Sequence, residues 1–535
     1  MSAEVHRKQN EKYILTIDLG TSGPKVSVYT TGAQAIAYEF EETPVNLLDG
    51  GGAEQNPDVW WDAICTAARR LLGRGLVPPR DIIAVCCTAQ WSGTVAVDQN
   101  GRHLHDAIIW MDSRGAGAVR EITGGFPKIS GYGLGALAKW LPITGGIPGH
   151  SGKDPIAHIL YLKRERPEIY ERTFKFLEPK DYLNLRLTGL CAASYDSIAL
   201  HWVTDNRNLS KVKYHAGLLR RTGVAPEKLP ELKSSTDVLG TVQASAAAEL
   251  GLPGDTQIQV VMGTPDLQSA AIGSGAVRDF EGHLYIGTSS WLTCHVPFKK
   301  TDVVTNMTTL PSGIPGRYFI ANEQESAGVC VKYMRDSVMF ADDALRDTDP
   351  PKDFFQMFDR IASVVPAGSD RLIFLPWLYG ERTPVEDHAV RGGFYNQSLQ
   401  TKRAHMFRAV LEGVAYNTRW LLAAVEKFIR RPFDAIHMIG GGANSALWCQ
   451  IHADVLNRTI KQVEDPIQAN SRGVACLAAV ALGFMRFEDI ADRVQIQSVF
   501  TPNPANRATY DFLFREFLRI YKANQKIYAR LNQHI

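Results

Sequence analysis

Apolar runs rich in β-branched residues alternate along most of the chain with segments of helical period, the pattern of an α/β protein. Near the start, "YILTIDL" (Tyr13–Leu19) and "KVSVYT" (Lys25–Thr30) read as two strands joined by a glycine-bearing turn, hence a hairpin. "DIIAVCCTA" (Asp81–Ala89) reads as a buried strand. "PIAHILYLKRERPEIYERT" (Pro155–Thr173) reads as a helix near the surface, its apolar positions giving way to charge. After Asp266 the pattern begins again. "HLYIGTSSWLTCHV" (His283–Val296) is strand, turn and strand. A long amphipathic helix follows over Ala404–Ile429, then a strand ending in glycines over Phe433–Gly442 and a helix over Ala443–Leu456.

The two hairpins say the same thing half a chain apart: an apolar strand, Gly-Thr-Ser, a second strand. This echo divides the chain into similar halves, 1–275 and 276–535, with the boundary near Gly275–Phe280, where "GSGAVRDF" supplies flexible residues. Two related α/β domains facing one cleft follow from it. The length of 535 residues exceeds one ordinary core. A net charge of +2 offers no electrostatic case for nucleic acid or a membrane surface. The 8 cysteines form no CxxC and no metal-ligand spacing, so neither a disulfide framework nor a zinc site is expected, and a reducing cytoplasm is. The opening dozen residues are charged and read as a mobile tail without the apolar run of a secretory signal. No apolar stretch of about 18 residues offers a membrane span.

Glycine at Gly20 lets the backbone turn sharply and approach a ligand, and the amides and hydroxyls of Thr21 and Ser22 then form a concave donor set suited to phosphate oxygens. Gly287, Thr288 and Ser289 repeat it, so a nucleoside triphosphate between the domains would be gripped from both sides. Neither turn has P-loop or Rossmann spacing. Asp18, at the end of the first strand, could hold a magnesium ion through water or could make a plain strand-end turn. Lys25 on the return strand could neutralise phosphate charge. Asp266, after an apolar strand, is either a helix N-cap or a general base taking the proton of a substrate hydroxyl. Gly440, Gly441, Gly442 and Asn444 stand where a strand meets a helix and either pack the two tightly or leave a flat place for adenine. Glu381–Arg382, in "FLPWLYGERTP", reads as a structural ion pair in a packing loop.

Seven segments in order resemble the FGGY family of carbohydrate kinases, its xylulokinases most closely: "IDLGTSGPK", "AIIWMDSR", "EPKDYLNLRLTG", "GTPDLQSAAIGSG", "YIGTSS", "FLPWLYGERTP" and "IGGGANSALWCQIHAD". The resemblance covers essentially the whole chain. It implies an α/β fold of two actin-like, ribonuclease-H-like domains with a central cleft, ATP and magnesium as co-substrates, and a sugar or polyol as acceptor. It further implies Asp266 as the base, Asp18, Thr21 and Ser22 around metal and phosphates, Gly287–Ser289 opposite, and Gly440–Asn444 around adenosine. A homodimer is the family's expectation. Two departures stand out. Pro24 lacks the amide these kinases commonly carry there. In "CCTAQWSGTVAVD" the sugar-contacting segment has Gln90, Trp91 and Ser92 where xylulokinases usually place a histidine two residues after the glutamine. A hydroxyl for an imidazole, and an indole face for stacking, alter how a sugar would be held. The expected activity is phosphorylation of a primary hydroxyl of a ketose or related polyol. The rivals are an actin- or chaperone-like nucleotide switch and a catalytically silent sugar-binding relative.

Overall fold

The computed structural model describes residues 11–255 and 257–532. Positions 1–10 of the expected tail lie outside the described residues. The opening hairpin consists of β1 (Tyr13–Gly20) and β2 (Gly23–Thr30), in a register that pairs Asp18 with Lys25 and Gly20 with Gly23. β3 (Ala35–Phe40) continues the sheet beyond β2, and β4 (Ile82–Ala89) lies parallel to β1 on its other flank. β5 (Val238–Thr241) and β6 (Gln259–Val261) complete a six-stranded sheet of order β5-β6-β4-β1-β2-β3. Ile14, Leu15, Ile17 and Leu19 are all buried, because β1 is covered on both faces and therefore reads as a continuous apolar run.

The second half repeats this connectivity. β7 (Gly282–Ile286), β8 (Ser290–Thr293), β9 (Ala435–Ile439), β10 (Thr459–Val463) and β11 (Ile496–Phe500) form a sheet of order β8-β7-β9-β10-β11. In each sheet the first hairpin strand is antiparallel to the second and parallel to a strand brought in by a crossover. A third parallel strand follows, and an antiparallel edge strand closes the series.

The expected helix over Pro155–Thr173 is two helices. α1 (Pro155–Glu165) stops at Arg166, whose φ of −137° and ψ of 57° lie outside the helical region, as Pro167 disfavours that region for the residue before it. α1 is also less of a surface helix than its charge suggests, since Pro155–Leu160 are all buried. α2 (Pro179–Thr188) carries the "PKDYLNLRLT" run almost wholly inside, and α3 (Asp266–Gly273) begins on Asp266. α4 (Arg403–Ile429) was expected to be amphipathic, yet every residue from Phe407 to Thr418 is buried, so it runs through the second core. α5 (Ala446–Leu456) starts after Ser445, whose side chain caps the Trp448 amide at 2.9 Å.

α6 (Ala469–Ala481) follows β10 of the second sheet but packs on β1, β2 and β4 of the first and crosses α3. The crossing is made by two glycines: a Cβ on Gly273 would collide with the Ala469 carbonyl oxygen, and one on Gly473 with that of Ser269. Arg472 Nε donates to the Gly273 carbonyl at 2.7 Å. Ile14, Cys86 and Val261 from the first sheet share one apolar cluster with Ile439, Val463 and Val474. The halves are thus joined by a core of their own.

Candidate active site

Parallel strands present the chain that leaves their carboxyl ends to one edge of the sheet, where α/β proteins bind ligands. In the first sheet β1, β4 and β6 lead into Thr21–Ser22, Gln90–Ser92 and the segment ending at Asp266. In the second, β7 and β9 lead into Gly287–Ser289 and Gly440–Asn444. Every segment in which the sequence suggested chemistry therefore stands on one of two such edges.

Asp18 is buried, with Lys25 Nζ at 3.6 Å and the Asn470 side chain bonded to it; burial raises its pKa above the usual carboxylate range against the pull of both partners. Lys25 Nζ also donates to the Ile467 carbonyl at 2.8 Å, so it ties the first hairpin to the chain entering α6. The Thr21 hydroxyl donates to Gln90 Oε1 at 3.1 Å and accepts from Trp110 Nε1 at 2.9 Å. Gln90 Nε2 donates in turn to Gln55 Oε1 at 2.7 Å, and Gln55 Nε2 to the Thr21 carbonyl at 2.9 Å. The Thr21 side chain and Gln90 are thus spent on shaping the turn, whereas Ser22 is exposed. Pro24 removes no donor from the turn: its carbonyl accepts from Glu41 N at 3.2 Å, and the nitrogen of a strand residue points to the same side as its carbonyl, away from the Thr21–Ser22 bend.

Asp266 opens α3. Its Oδ1 accepts from its neighbour's amide, Leu267 N, at 2.8 Å, and the Trp91 amide donates to the same carboxyl. Burial pushes its pKa up to about 7; the two amides oppose this, and the carboxylates of Asp18 and Glu323 add to it. The side chain is half-buried and keeps an outlet to solvent. Beneath it the "PKDYLNLRLTG" run anchors the segment: Lys180 Nζ and Asn184 Nδ2 both donate to the Met262 carbonyl, at 2.9 and 2.8 Å, and the Thr264 hydroxyl bonds Asp196. Glu178, just ahead of the run, accepts the Gly93 amide at 2.9 Å, which fixes the end of the Gln90–Ser92 segment.

Trp91 differs from expectation. Only 7% of it is exposed, because the ring packs among Ala96, Ile108 and Trp140 and its indole N–H donates to the Ser197 carbonyl at 3.0 Å. No face is left for sugar stacking; what Trp91 offers Asp266 is its amide. Ser92 holds a left-handed φ of 68°, a strained conformation for a non-glycine residue, and its hydroxyl donates to the Lys153 carbonyl at 2.7 Å.

On the second sheet the Gly287–Ser289 turn is backed by backbone: Ala327 N donates to the Thr288 carbonyl at 2.9 Å and Gly328 N to the Gly287 carbonyl at 2.7 Å. Tyr285, two residues ahead, stacks on Trp291 with centroids 3.9 Å apart. Burial raises its phenol to about 12, helped by the charges of Asp266 and Asp18, which brings the second hairpin within electrostatic reach of both carboxylates. At the glycine run, Gly440 has φ 85° and lies against the Ile286 carbonyl, where a Cβ would not fit, whereas Gly441 is exposed with open space where a Cβ would be. Asn444 is exposed, and Ser445 takes the capping role.

Three further groups enter from loops that the sequence reading did not single out or read otherwise. The indole of half-exposed Trp110 touches Thr21. Lys153 Nζ sits 6.0 Å from the Trp110 ring centroid. Arg382 Nε donates to Glu325 Oε1 at 2.9 Å, and the same guanidinium pairs with Glu323. The expected Glu381–Arg382 ion pair is not formed, because Glu381 is buried behind, where its carboxylate takes Asn417 and the amides of Arg382 and Glu325.

Residues 13–273 match the family model for the N-terminal domain of FGGY carbohydrate kinases, and residues 283–482 match that for the C-terminal domain. A xylulose kinase of Staphylococcus epidermidis is 29% identical over 97% of this chain and 99% of its own. The solved structures of a gluconate kinase and a ligand-bound xylulose kinase of Lactobacillus acidophilus each superpose with a TM-score of 0.84 at 25% identity. They cover 98% and 97% of this chain and 100% of their own. The duplicated sheets are the two-domain, actin-like α/β fold of FGGY kinases, which are sugar kinases that use ATP. Two matched domains, in order and along nearly the whole length, place this chain in the FGGY family of carbohydrate kinases.

Proposed function

We propose that the protein transfers the γ-phosphoryl group of ATP to a primary hydroxyl of a ketose, a pentulose such as xylulose being favoured, or of a related polyol. The observation that carries this reading is the Asp266 carboxyl: it accepts two backbone amides, burial pushes its pKa up to about 7, and it interacts electrostatically with Asp18 of one sheet and Tyr285 of the other. A base with a pKa near the working pH accepts a proton efficiently. Asp266 takes the hydroxyl proton as the acceptor oxygen forms a bond to the γ-phosphorus. The bond from that phosphorus to the β–γ bridging oxygen breaks, and its electron pair leaves with ADP.

The Gly20–Ser22 and Gly287–Ser289 turns offer amides to the phosphates from two sides, and Ser22 adds a hydroxyl. Lys25 contributes charge from its seat beside Asp18. The open face at Gly441, with Gly440, Gly442 and Asn444, suits a flat adenine ring. Asp18 fits a magnesium ion: a buried carboxylate, opposed in its ionisation by burial and lying beside a second acid, gains from a nearby cation. When bound there, the ion offsets charge on the phosphates. Among the described residues no three His, Cys, Asp or Glu side chains converge on a metal site, so Asp18 would hold it together with water and phosphate oxygens. Ser92, on its strained backbone and bonded to the Lys153 carbonyl, lines the acceptor side. Domain closure around both substrates excludes water, which would otherwise take the phosphoryl group.

The test is ADP release by the purified protein with pentuloses, hexuloses, pentitols and small polyols. At least one compound is expected to raise release about tenfold above buffer. ATP turnover that none of them stimulates favours a nucleotide switch, and binding without product favours a silent sugar-binding relative.

A further inference from the structure

We propose that Lys153 is a recognition residue for the acceptor, and that its pocket takes a neutral polyhydroxy compound and rejects one carrying a carboxylate. The inference rests on the kinase reading above and narrows its substrate class.

The backbone at Lys153 is clamped on both sides. Its carbonyl accepts the Ser92 hydroxyl at 2.7 Å, and next to it Asp154 Oδ2 accepts Gly149 N at 2.6 Å and Trp202 Nε1 at 2.9 Å. The side chain is thereby aimed while its end is left unbonded: among the described residues, Nζ has neither a hydrogen-bond nor an ion-pair partner. It is half-buried 6.0 Å from the Trp110 ring centroid, and burial lowers its pKa. Removing an ammonium from water without giving it an acceptor costs free energy, and a ligand oxygen beside Trp110 would supply one. Trp110 in turn touches Thr21 at the first phosphate turn, so Lys153 stands at the far end of a short path that starts where the phosphates would lie.

Charge decides what that oxygen belongs to. Arg382, the other cation on this side, is already held between Glu323 and Glu325. Asp154, Glu323 and Glu325 are three acids against the two cations Lys153 and Arg382, and Asp266 becomes a fourth as it loses its proton at about pH 7, all within electrostatic reach of one another or of Arg382. An incoming carboxylate meets a surplus of its own sign and only one free cation. A hydroxylated or carbonyl-bearing neutral compound can accept from Lys153 and donate to the acids without adding charge.

Calorimetric binding tests this with the full chain and a panel of D-xylulose, D-fructose, xylitol, ribitol and D-gluconate, in parallel with ADP release. At least one neutral compound is expected to bind about tenfold tighter than D-gluconate. Lys153→Met should weaken that compound about tenfold with the nucleotide KM and Tm unchanged, and Lys153→Gln, which keeps a donor, should recover part of the loss. D-gluconate as the tightest ligand, no binding by any compound, or a neutral ligand held within about twofold by both variants overturns the inference. A neutral compound bound through Lys153 but never phosphorylated keeps the inference and removes the kinase reading. Turnover of a neutral acceptor indifferent to Lys153 does the reverse.

Discussion

The two Gly-Thr-Ser hairpins share a strand order and a turn but differ two residues ahead of the glycine, where the first carries Asp18 and the second Tyr285. Both interact electrostatically with Asp266, one as a carboxylate and one as a phenol. Their supports differ as well: side chains of Gln90, Gln55 and Trp110 hold the first turn, whereas the backbone of 327–328 holds the second. The two hairpins keep the same backbone pairing, and only the first carries a carboxylate at this place.

The largest effect expected is at the group that both hairpins face. Asp266→Asn should lower kcat about a thousandfold while leaving nucleotide binding intact, as calorimetry and steady-state rates will show. Near-normal turnover would place the base elsewhere. In the wild type, kcat/KM should rise tenfold per pH unit below about 7 and level above it, because the carboxyl must lose its proton to act and burial holds that proton to about 7.

Next comes the asymmetry itself. Asp18→Asn should cost about a hundredfold in kcat and move the acid limb to lower pH, since removing a neighbouring negative charge eases ionisation of Asp266. Tyr285→Phe, at the equivalent place, should change kcat less than about threefold and leave the limb where it was. Equal losses in the two variants would erase the distinction between the hairpins. The smallest effect lies away from the chemistry. Gly473→Ala drives a methyl into the Ser269 carbonyl and should cost about 1–3 kcal/mol in denaturant unfolding. An unchanged midpoint would mean that the crossing readily opens.

What the sequence made legible is local. Strand, glycine, hydroxyl pair and return strand are contiguous, so both turns could be read without knowing what they face, as could Asp266 at a strand-to-helix junction. The partners of these groups are not contiguous. Asn470 reaches Asp18 from the start of α6, some 450 residues on, inside a helix whose sequence carries no motif. Glu323, Glu325 and Arg382 meet Lys153 only because two loops of the second half stand across the cleft. Gln90 and Trp91 lie in the expected segment, but folding commits their polar atoms to Thr21, Gln55 and Ser197, a matter of three-dimensional neighbours that spacing does not encode. The "PKDYLNLRLTG" run could be recognised by its letters, whereas its work, anchoring Met262 from below, needed the fold.

The glycine contact between α3 and α6 has a mechanical meaning. With bare backbone pressed against backbone at Gly273 and Gly473, neither rod can slide along the other without its carbonyls colliding, so any movement of one lobe against the other should turn about that point. Asp266 rides on the same rod, about 10 Å from the fulcrum. It should therefore travel little while the Gly287 bend, on the opposite lobe, swings through a wider arc.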